Sequence, residues 1–342
     1  MELSIDILSS YPPVQEAEVD KVLAEEIRDN EKKIVVLDDD PTGVQTVHDI
    51  SVYTNWEKAS IEQGFAEENK LFYILTNSRG FTAAQTEKAH KEIAEVVDQV
   101  AKETGKEYLF ISRSDSTLRG HYPLETTILK DEYEKNTGKK IDGEVLCPFF
   151  KEGGRFTIDD VHYVQYDDTL VPAAETEFAK DKTFGYTVSN LKEYVEEKTQ
   201  GAYKKENVTA ISLENIRELN YDKIEEQLLA VEDFNKVIVN AIDYVDVKIF
   251  CVALFRAMKK GKNFMFRTAA AIVKVMGGVS NQPLLTREQM VVKETDNGGI
   301  IVVGSHTDKT TRQMEKLREN KDIAFVELNA TLVNDEAAFA EE

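Results

Sequence analysis

Three stretches of this chain gather the side chains that chemistry requires, and each follows an apolar run. They are Asp38-Asp39-Asp40-Pro41-Thr42-Gly43, then Thr76-Asn77-Ser78-Arg79-Gly80, then Ser112-Arg113-Ser114-Asp115-Ser116-Thr117-Leu118-Arg119-Gly120. Carboxylates a few ångströms apart raise one another's pKa unless a cation, a proton or a donor compensates, so the triple aspartate is costly without a task. The tasks open to it are a general base toward a substrate hydroxyl, an acceptor that orients that hydroxyl, or a Mg²⁺ ligand. Alternation along a strand points Asp38 and Asp40 one way and Asp39 the other. An acidic turn capping the next helix is the plain alternative.

The third stretch joins the Ser116 and Thr117 hydroxyls to the Asp115 carboxylate and the Arg119 guanidinium, a set suited to a ligand with both hydroxyls and a carboxylate. Arginine holds a carboxylate through two parallel hydrogen bonds, which lysine cannot do. A capped helix start with an exposed arginine would explain the same residues. Ser78 and Arg79 in the second stretch, and Arg155 at the end of a fourth polar loop from Cys147, favour the ligand reading. His48, His121 and His162 read as ordinary hydrogen-bonding residues.

The elements that must position these loops follow from periodicity. Runs 34–37, 71–75 and 108–111 are apolar and rich in β-branched and aromatic residues, and 145–146 ends a shorter one. Between them 82–103 carries Ala89, Ile93, Val96, Val97 and Val100 at helical spacing. Strands alternating with helices predict an α/β fold with a parallel sheet covered on both faces, whose ligands sit at the carboxyl ends of the strands. Segments 208–213 and 237–240 are further strand candidates.

After Asp296-Asn297-Gly298-Gly299 a new domain is expected: a strand at 300–303, the loop Gly304-Ser305-His306-Thr307, a helix over 309–320 and a strand at 323–328. Gly304 and Ser305 could offer N–H groups and a hydroxyl to a phosphate, yet the patterns GxxxxGK[ST] and GxGxxG are absent. The expected organisation is a helical extension over 1–32, an α/β domain over 33–290, and the start of a second α/β domain over 298–342, cut short.

A chain of 342 residues suits two domains. With 42% hydrophobic and 31% charged residues it resembles a folded protein, not a disordered one. A net charge of −21 argues against nucleic acid and anionic membranes as partners. Cys147 and Cys251, far apart and outside any CxxC, read as packing residues in a reducing compartment. An acidic N-terminus without an apolar core is not a signal peptide, and no run spans a membrane, so a cytoplasmic location is expected.

The strings LDDDPTGVQTVHDI, SDSTLRGHYPLE, FFKEGGRFTIDDVHYV, FMFRTAAAIVKVMGG and VVGSHTDKTTRQMEKL together resemble the four-carbon acid sugar kinase family over about residues 33–320. The resemblance implies an N-terminal α/β domain that binds a threonate, erythronate or 3-oxo-tetronate, and a C-terminal domain that binds ATP, with Mg²⁺ assisting phosphoryl transfer. The family's DDxTG element falls on Asp39, Asp40, Thr42 and Gly43, making Asp39 and Asp40 the candidate catalytic pair. Its DSTLRG element falls on residues 115–120, so Asp115, Ser116, Thr117 and Arg119 join Ser78, Arg79 and Arg155 as candidate substrate contacts. Ser305 matches an ATP contact, and no residue is assigned to a metal.

Arg113 stands where many members have lysine and His121 where many have asparagine; nothing after Leu328 resembles the family's GG[DE]T element, so most of the ATP site is expected to be missing from this chain. The expected partners are a small acid sugar and ATP, with a homodimer left open. The rivals are a haloacid-dehalogenase-type phosphatase using Asp38 and Asp40, for which Asp243 and Asp246 have the wrong spacing, and a non-catalytic sugar-acid binder.

Overall fold

The computed structural model describes residues 1–341 apart from 292, 294, 296 and 306; Asp296 and His306 of the sequence reading therefore lie outside the described residues. It divides into two compact units, Met1–Gln282 and Pro283–Glu342.

The strands of the first unit are β1 (Leu3–Ser4), β2 (Lys33–Asp38), β3 (Val52–Tyr53), β4 (Leu71–Leu75), β5 (Tyr108–Arg113), β6 (Gly143–Cys147), β7 (Arg155–Ile158), β8 (Val161–Tyr166), β9 (Thr169–Pro172), β10 (Thr209–Ile211), β11 (Asn235–Val239) and β12 (Phe264–Thr268). Eight of them form one sheet in the order β10-β11-β6-β12-β5-β2-β4-β3, and every pair in it is parallel. The expected α/β architecture is thus the observed one. All six residues of β2 are buried, and alternation sends Ile34 and Val36 into one core cluster and Val35 and Leu37 into the other. Helices cover both clusters, as a parallel sheet requires.

The helix Ala83–Thr104 begins with a capping box between Thr82 and Gln85 and buries Ala89, Ile93, Val97 and Val100. The N-terminal helix Glu16–Asp29 buries Val19 and Leu23 and pairs with the helix Tyr244–Lys259 through Lys248–Glu16, 2.7 Å, and Arg256–Glu26, 2.8 Å. The first compact unit thereby takes in the N-terminal residues. Cys147 and Cys251 are both buried in the core, as expected.

Two features of this unit escape periodicity. β12 lies between β5 and β6, at the centre of the sheet, although it comes last in sequence. Between β6 and β10 the chain builds β7, β8 and β9, which with β1 form a separate antiparallel sheet, followed by the helix Leu191–Lys198.

The second unit holds the helix Asp308–Leu317, in line with the expected 309–320. The expected strands at 300–303 and 323–328 are not formed: Ile300, Val302 and Val326 are almost fully exposed. Apolar β-branched runs become strands only against a partner, and among the described residues of this unit no strand is present to pair with.

Candidate functional site

The sheet reverses its winding between β2 and β5, since the chain leaves β2 toward β4 on one side and leaves β5 toward β6 on the other. Ligands of open parallel sheets bind in the crevice at such a switch point, outside the carboxyl ends. Asp38 ends β2 and Arg113 ends β5, and the register sets them opposite each other. Their side chains meet at 2.9 Å, both buried.

The strand stops at Asp38, so the alternation expected through Asp40 does not hold: the backbone bends and both following aspartates converge on Arg79. Arg79 donates to Asp39 from Nη2 at 2.7 Å and Nε at 3.2 Å, and to Asp40 from Nη1 at 2.7 Å. Ser114 adds a hydroxyl donor to Asp39 at 2.6 Å. Asp40, about a quarter exposed, also accepts from the backbone N–H of Thr42 at 2.8 Å and from the Thr42 hydroxyl.

These surroundings separate the three carboxyls. Burial pushes Asp38 up to about 7 despite Arg113. Burial also raises Asp39, with Glu125 adding to the effect and Arg79 opposing it. Asp40 feels burial too, but the Thr42 donors and Arg79 outweigh it and hold Asp40 below the usual carboxylate range. Gly43 is required here, because a Cβ at that position would stand 1.7 Å from Oδ2 of Asp38.

The β5 loop supplies the other wall. Arg119 donates from Nε to Asp115 at 2.6 Å, and the Thr117 hydroxyl donates to the same oxygen. The Asp115 carboxyl is buried, which would raise it, yet Arg119 and Arg79 hold it far below its ordinary value. Arg119 and Arg155 lie over the same ring, that of Phe178, at 5.0 and 5.4 Å. Arg155 also donates to the carbonyl of Gly153. Gly120, at φ 122°, brings its backbone so close that a Cβ would meet Oγ of Ser114 at 2.7 Å.

The structure therefore gathers Asp39, Asp40 and Arg79 in one cluster and Asp115, Thr117, Arg119 and Arg155 in the neighbouring one. Ser116 shares the second loop. Ser78 is fully buried and points inward, donating to Glu125 at 3.1 Å. Ser305 belongs to the second unit, where its hydroxyl accepts from Thr310 at 2.9 Å.

Arg267, at the end of β12, and Glu125 are site-lining groups absent from the sequence-derived set; Nε of Arg267, Nε of Arg113 and Oε2 of Glu125 are buried without a partner among the described residues. Arg267 lay within FMFRTAAAIVKVMGG, and its alternating Phe264, Met265, Phe266 run was the available signal for a strand. Asp243 and Asp246 form a capping box at the start of the helix Tyr244–Lys259, and Asp246 pairs with Arg217 at 2.5 Å. A groove of about 450 Å³ lies beside them, but its Lys151, Lys248 and Lys274 are already engaged by Asp243, by Glu16 and Asp20, and by Asn281.

The comparisons agree with this architecture. The sugar-binding N-terminal domain family model matches residues 34–276, and the chain belongs to that family, the four-carbon acid sugar kinases. Haemophilus influenzae protein HI1011, of family DUF1537, shares the fold at 17% identity and a TM-score of 0.50, over 83% of this chain and 65% of that one. A Salmonella typhimurium LT2 protein assigned provisionally as a tRNA synthase does so at 14% identity and a TM-score of 0.50, over 72% of this chain and 55% of that one. The chain thus spans between half and two thirds of the solved structures it resembles. No curated protein matches it.

Proposed function

We propose that the crevice between β2 and β5 binds a four-carbon acid sugar and presents one of its hydroxyls for phosphorylation by ATP. The observation that carries this reading is the division of the crevice into a carboxylate wall, Asp39 and Asp40 on Arg79, and a cationic wall, Arg119 and Arg155 on Phe178. A hydroxyl needs an acceptor and a carboxylate needs a guanidinium, and an acid sugar carries both.

Around the crevice Arg79, Arg113, Arg119, Arg155 and Arg267 face Asp38, Asp39, Asp40, Asp115 and Glu125. Burial raises Asp38 to about 7 and raises Asp39 as well, which weakens the carboxylate side of this set and favours an anionic ligand beside the arginines. Arg119 has one nitrogen on Asp115, and its two terminal nitrogens make no hydrogen bond to described protein groups, so they face the substrate carboxylate in this reading. Asp40 stays ionised and is the accessible aspartate, so it takes the role of orienting the accepting hydroxyl, while buried Asp39 fixes Arg79.

ATP supplies the phosphoryl group, with Mg²⁺ screening its charge. Ser305 and the first turn of the helix Asp308–Leu317 offer donors to a phosphate. A coupled ADP-release assay with a panel of tetronates tests the reading on Asp40→Asn against the unsubstituted sequence, both in a chain extended to the length of the solved structures it resembles and shown to turn over. Loss of roughly 10²-fold in rate is expected on losing the carboxylate that orients the accepting hydroxyl; equal rates, or turnover with uncharged sugars alone, would reject it.

A further inference from the structure

The main chain of the loop 115–120 is fastened along one side. The carbonyl of Ser116 accepts from Nε2 of His162 at 2.7 Å, that of Thr117 from the Tyr186 hydroxyl at 2.8 Å, that of Leu118 from the Tyr194 hydroxyl at 2.8 Å, and that of Arg119 from Nη2 of Arg267 at 2.7 Å. Four successive carbonyls meet four side chains from separate places. His162 lies on β8, Tyr186 on the segment after β9, Tyr194 on the helix Leu191–Lys198, and Arg267 on β12.

The amides of the same loop are left otherwise. Leu118 and Arg119 bond weakly back to Asp115, at 3.1 and 3.4 Å, while the N–H groups of Ser116, Thr117 and Gly120 donate to no described protein group. Leu118 has φ 70° and Gly120 φ 122°. Positive φ at two of three successive residues is the kind of backbone alternation from which anion-binding nests are built.

We propose that the insertion between β6 and β10 is a brace which, together with Arg267, turns the carbonyls of residues 116–119 away from the ligand. The amides of Ser116, Thr117 and Gly120 then receive the substrate carboxylate beside Arg119. The proposal rests on the acid-sugar reading for its ligand and on hydrogen bonding alone for its geometry. His162, Tyr186, Tyr194 and Arg267 are positioning residues: each touches the loop.

The chemistry of the donors is consistent. A carbonyl has only lone pairs, so Nε2 of His162 must carry a proton, and Nδ1 is then free to accept from the Thr157 hydroxyl at 3.0 Å. Burial keeps this imidazole neutral and both phenols protonated. A packing role would need only the rings, whereas the brace needs the polar hydrogens.

The test uses the full chain carrying Tyr186→Phe and Tyr194→Phe together, with His162→Gln and His162→Leu as a matched pair. Amide hydrogen exchange over 114–122 reads the loop without ligand, and calorimetry with a tetronate reads the site. In the tyrosine double variant, exchange at Leu118 and Arg119 should speed up, and the Kd should rise roughly tenfold or more, from two lost hydrogen bonds. His162→Gln, which keeps a donor, should bind as wild type does, while His162→Leu, which strands one carbonyl, should raise the Kd roughly fivefold. Unchanged loop exchange, an unchanged Kd in the double variant, or equal behaviour of His162→Gln and His162→Leu would overturn the brace. A wild-type chain that binds no tetronate would instead defeat the acid-sugar reading, and the exchange measurement would still decide whether the brace exists.

Discussion

The aspartate loop after β2 is fastened through charge, Asp38 to Arg113 and Asp39 with Asp40 to Arg79, whereas the loop after β5 is fastened through neutral donors on three of its four braced carbonyls. Charged partners buried together are expensive to separate, because the one left behind has no water to turn to. Neutral donors cost less to remove and hold their geometry over a wider pH range. One wall of the crevice is therefore set to respond to protons and ligands near neutral pH, and the other to stay in place until His162 takes up a proton in acid.

Breaking the charged wall should have the largest effect. Asp39→Ala takes two of the three carboxylate bonds from Arg79, leaving it Asp40 alone, and removes the acceptor of the Ser114 hydroxyl; it should cost about 3 kcal/mol in chemical denaturation. A loss below ~1 kcal/mol would mean that water reaches Arg79 and that the wall is not electrostatically closed.

Next comes pH, where the two walls carry opposite signs. Burial holds the His162 imidazole down at about 4, below its ordinary ~6.5, so the unfolded chain takes the proton first. Its contribution is complete above ~6.5 and lost as pH falls toward 4, on the order of 3 kcal/mol. The Asp38 carboxyl is pushed up to about 7, above its ordinary ~4, so the folded chain takes the proton first; that contribution is complete below ~4 and lost as pH rises toward 7. Urea midpoints from about pH 4.5 to 7.5 should rise more steeply with pH in Asp38→Asn than in wild type, and less steeply in His162→Gln. Identical profiles in the two variants would contradict the assignment.

A smaller effect sharpens where the walls touch. Gly120→Ala places a Cβ 2.7 Å from Oγ of Ser114 in a backbone conformation that L side chains avoid, and should cost about 1–3 kcal/mol. Asp40→Asn should change stability least, under ~1 kcal/mol, because Asp40 is partly exposed and Arg79 keeps Asp39. Its effect should fall on catalysis instead, which separates the ligand-facing aspartate from the structural one.

Much of this arrangement was legible in residue order. The runs at β2, β4 and β5 are long, apolar and flanked by polar loops, so the strands, their parallel pairing and the rim they feed follow from period and position alone. The pairing of Asp39 and Asp40 on one arginine was not legible, because it depends on β2 ending at Asp38, before the alternation assumed through Asp40. Arg267 was hidden for a topological reason: β12 enters the sheet centre last, and nothing local says which strands it will separate. The brace was hidden too, since Tyr186 and Tyr194 look like core aromatics until their hydroxyls are seen on the loop carbonyls. At 300–303 and 323–328 local propensity spoke for strands, and the absence of a pairing partner among the described residues overrode it.

The central claim is that the crevice recognises a carboxylate and hydroxyls together. Isothermal calorimetry of the chain with a four-carbon sugar acid, its uncharged sugar alcohol, and the acid against Arg119→Ala tests that claim most directly. The account predicts binding of the acid, binding of the alcohol at least tenfold weaker, and a loss of roughly 1.5–3 kcal/mol on removing the guanidinium. Equal affinity for acid and alcohol, or an Arg119→Ala chain that binds the acid as well as wild type, would contradict it.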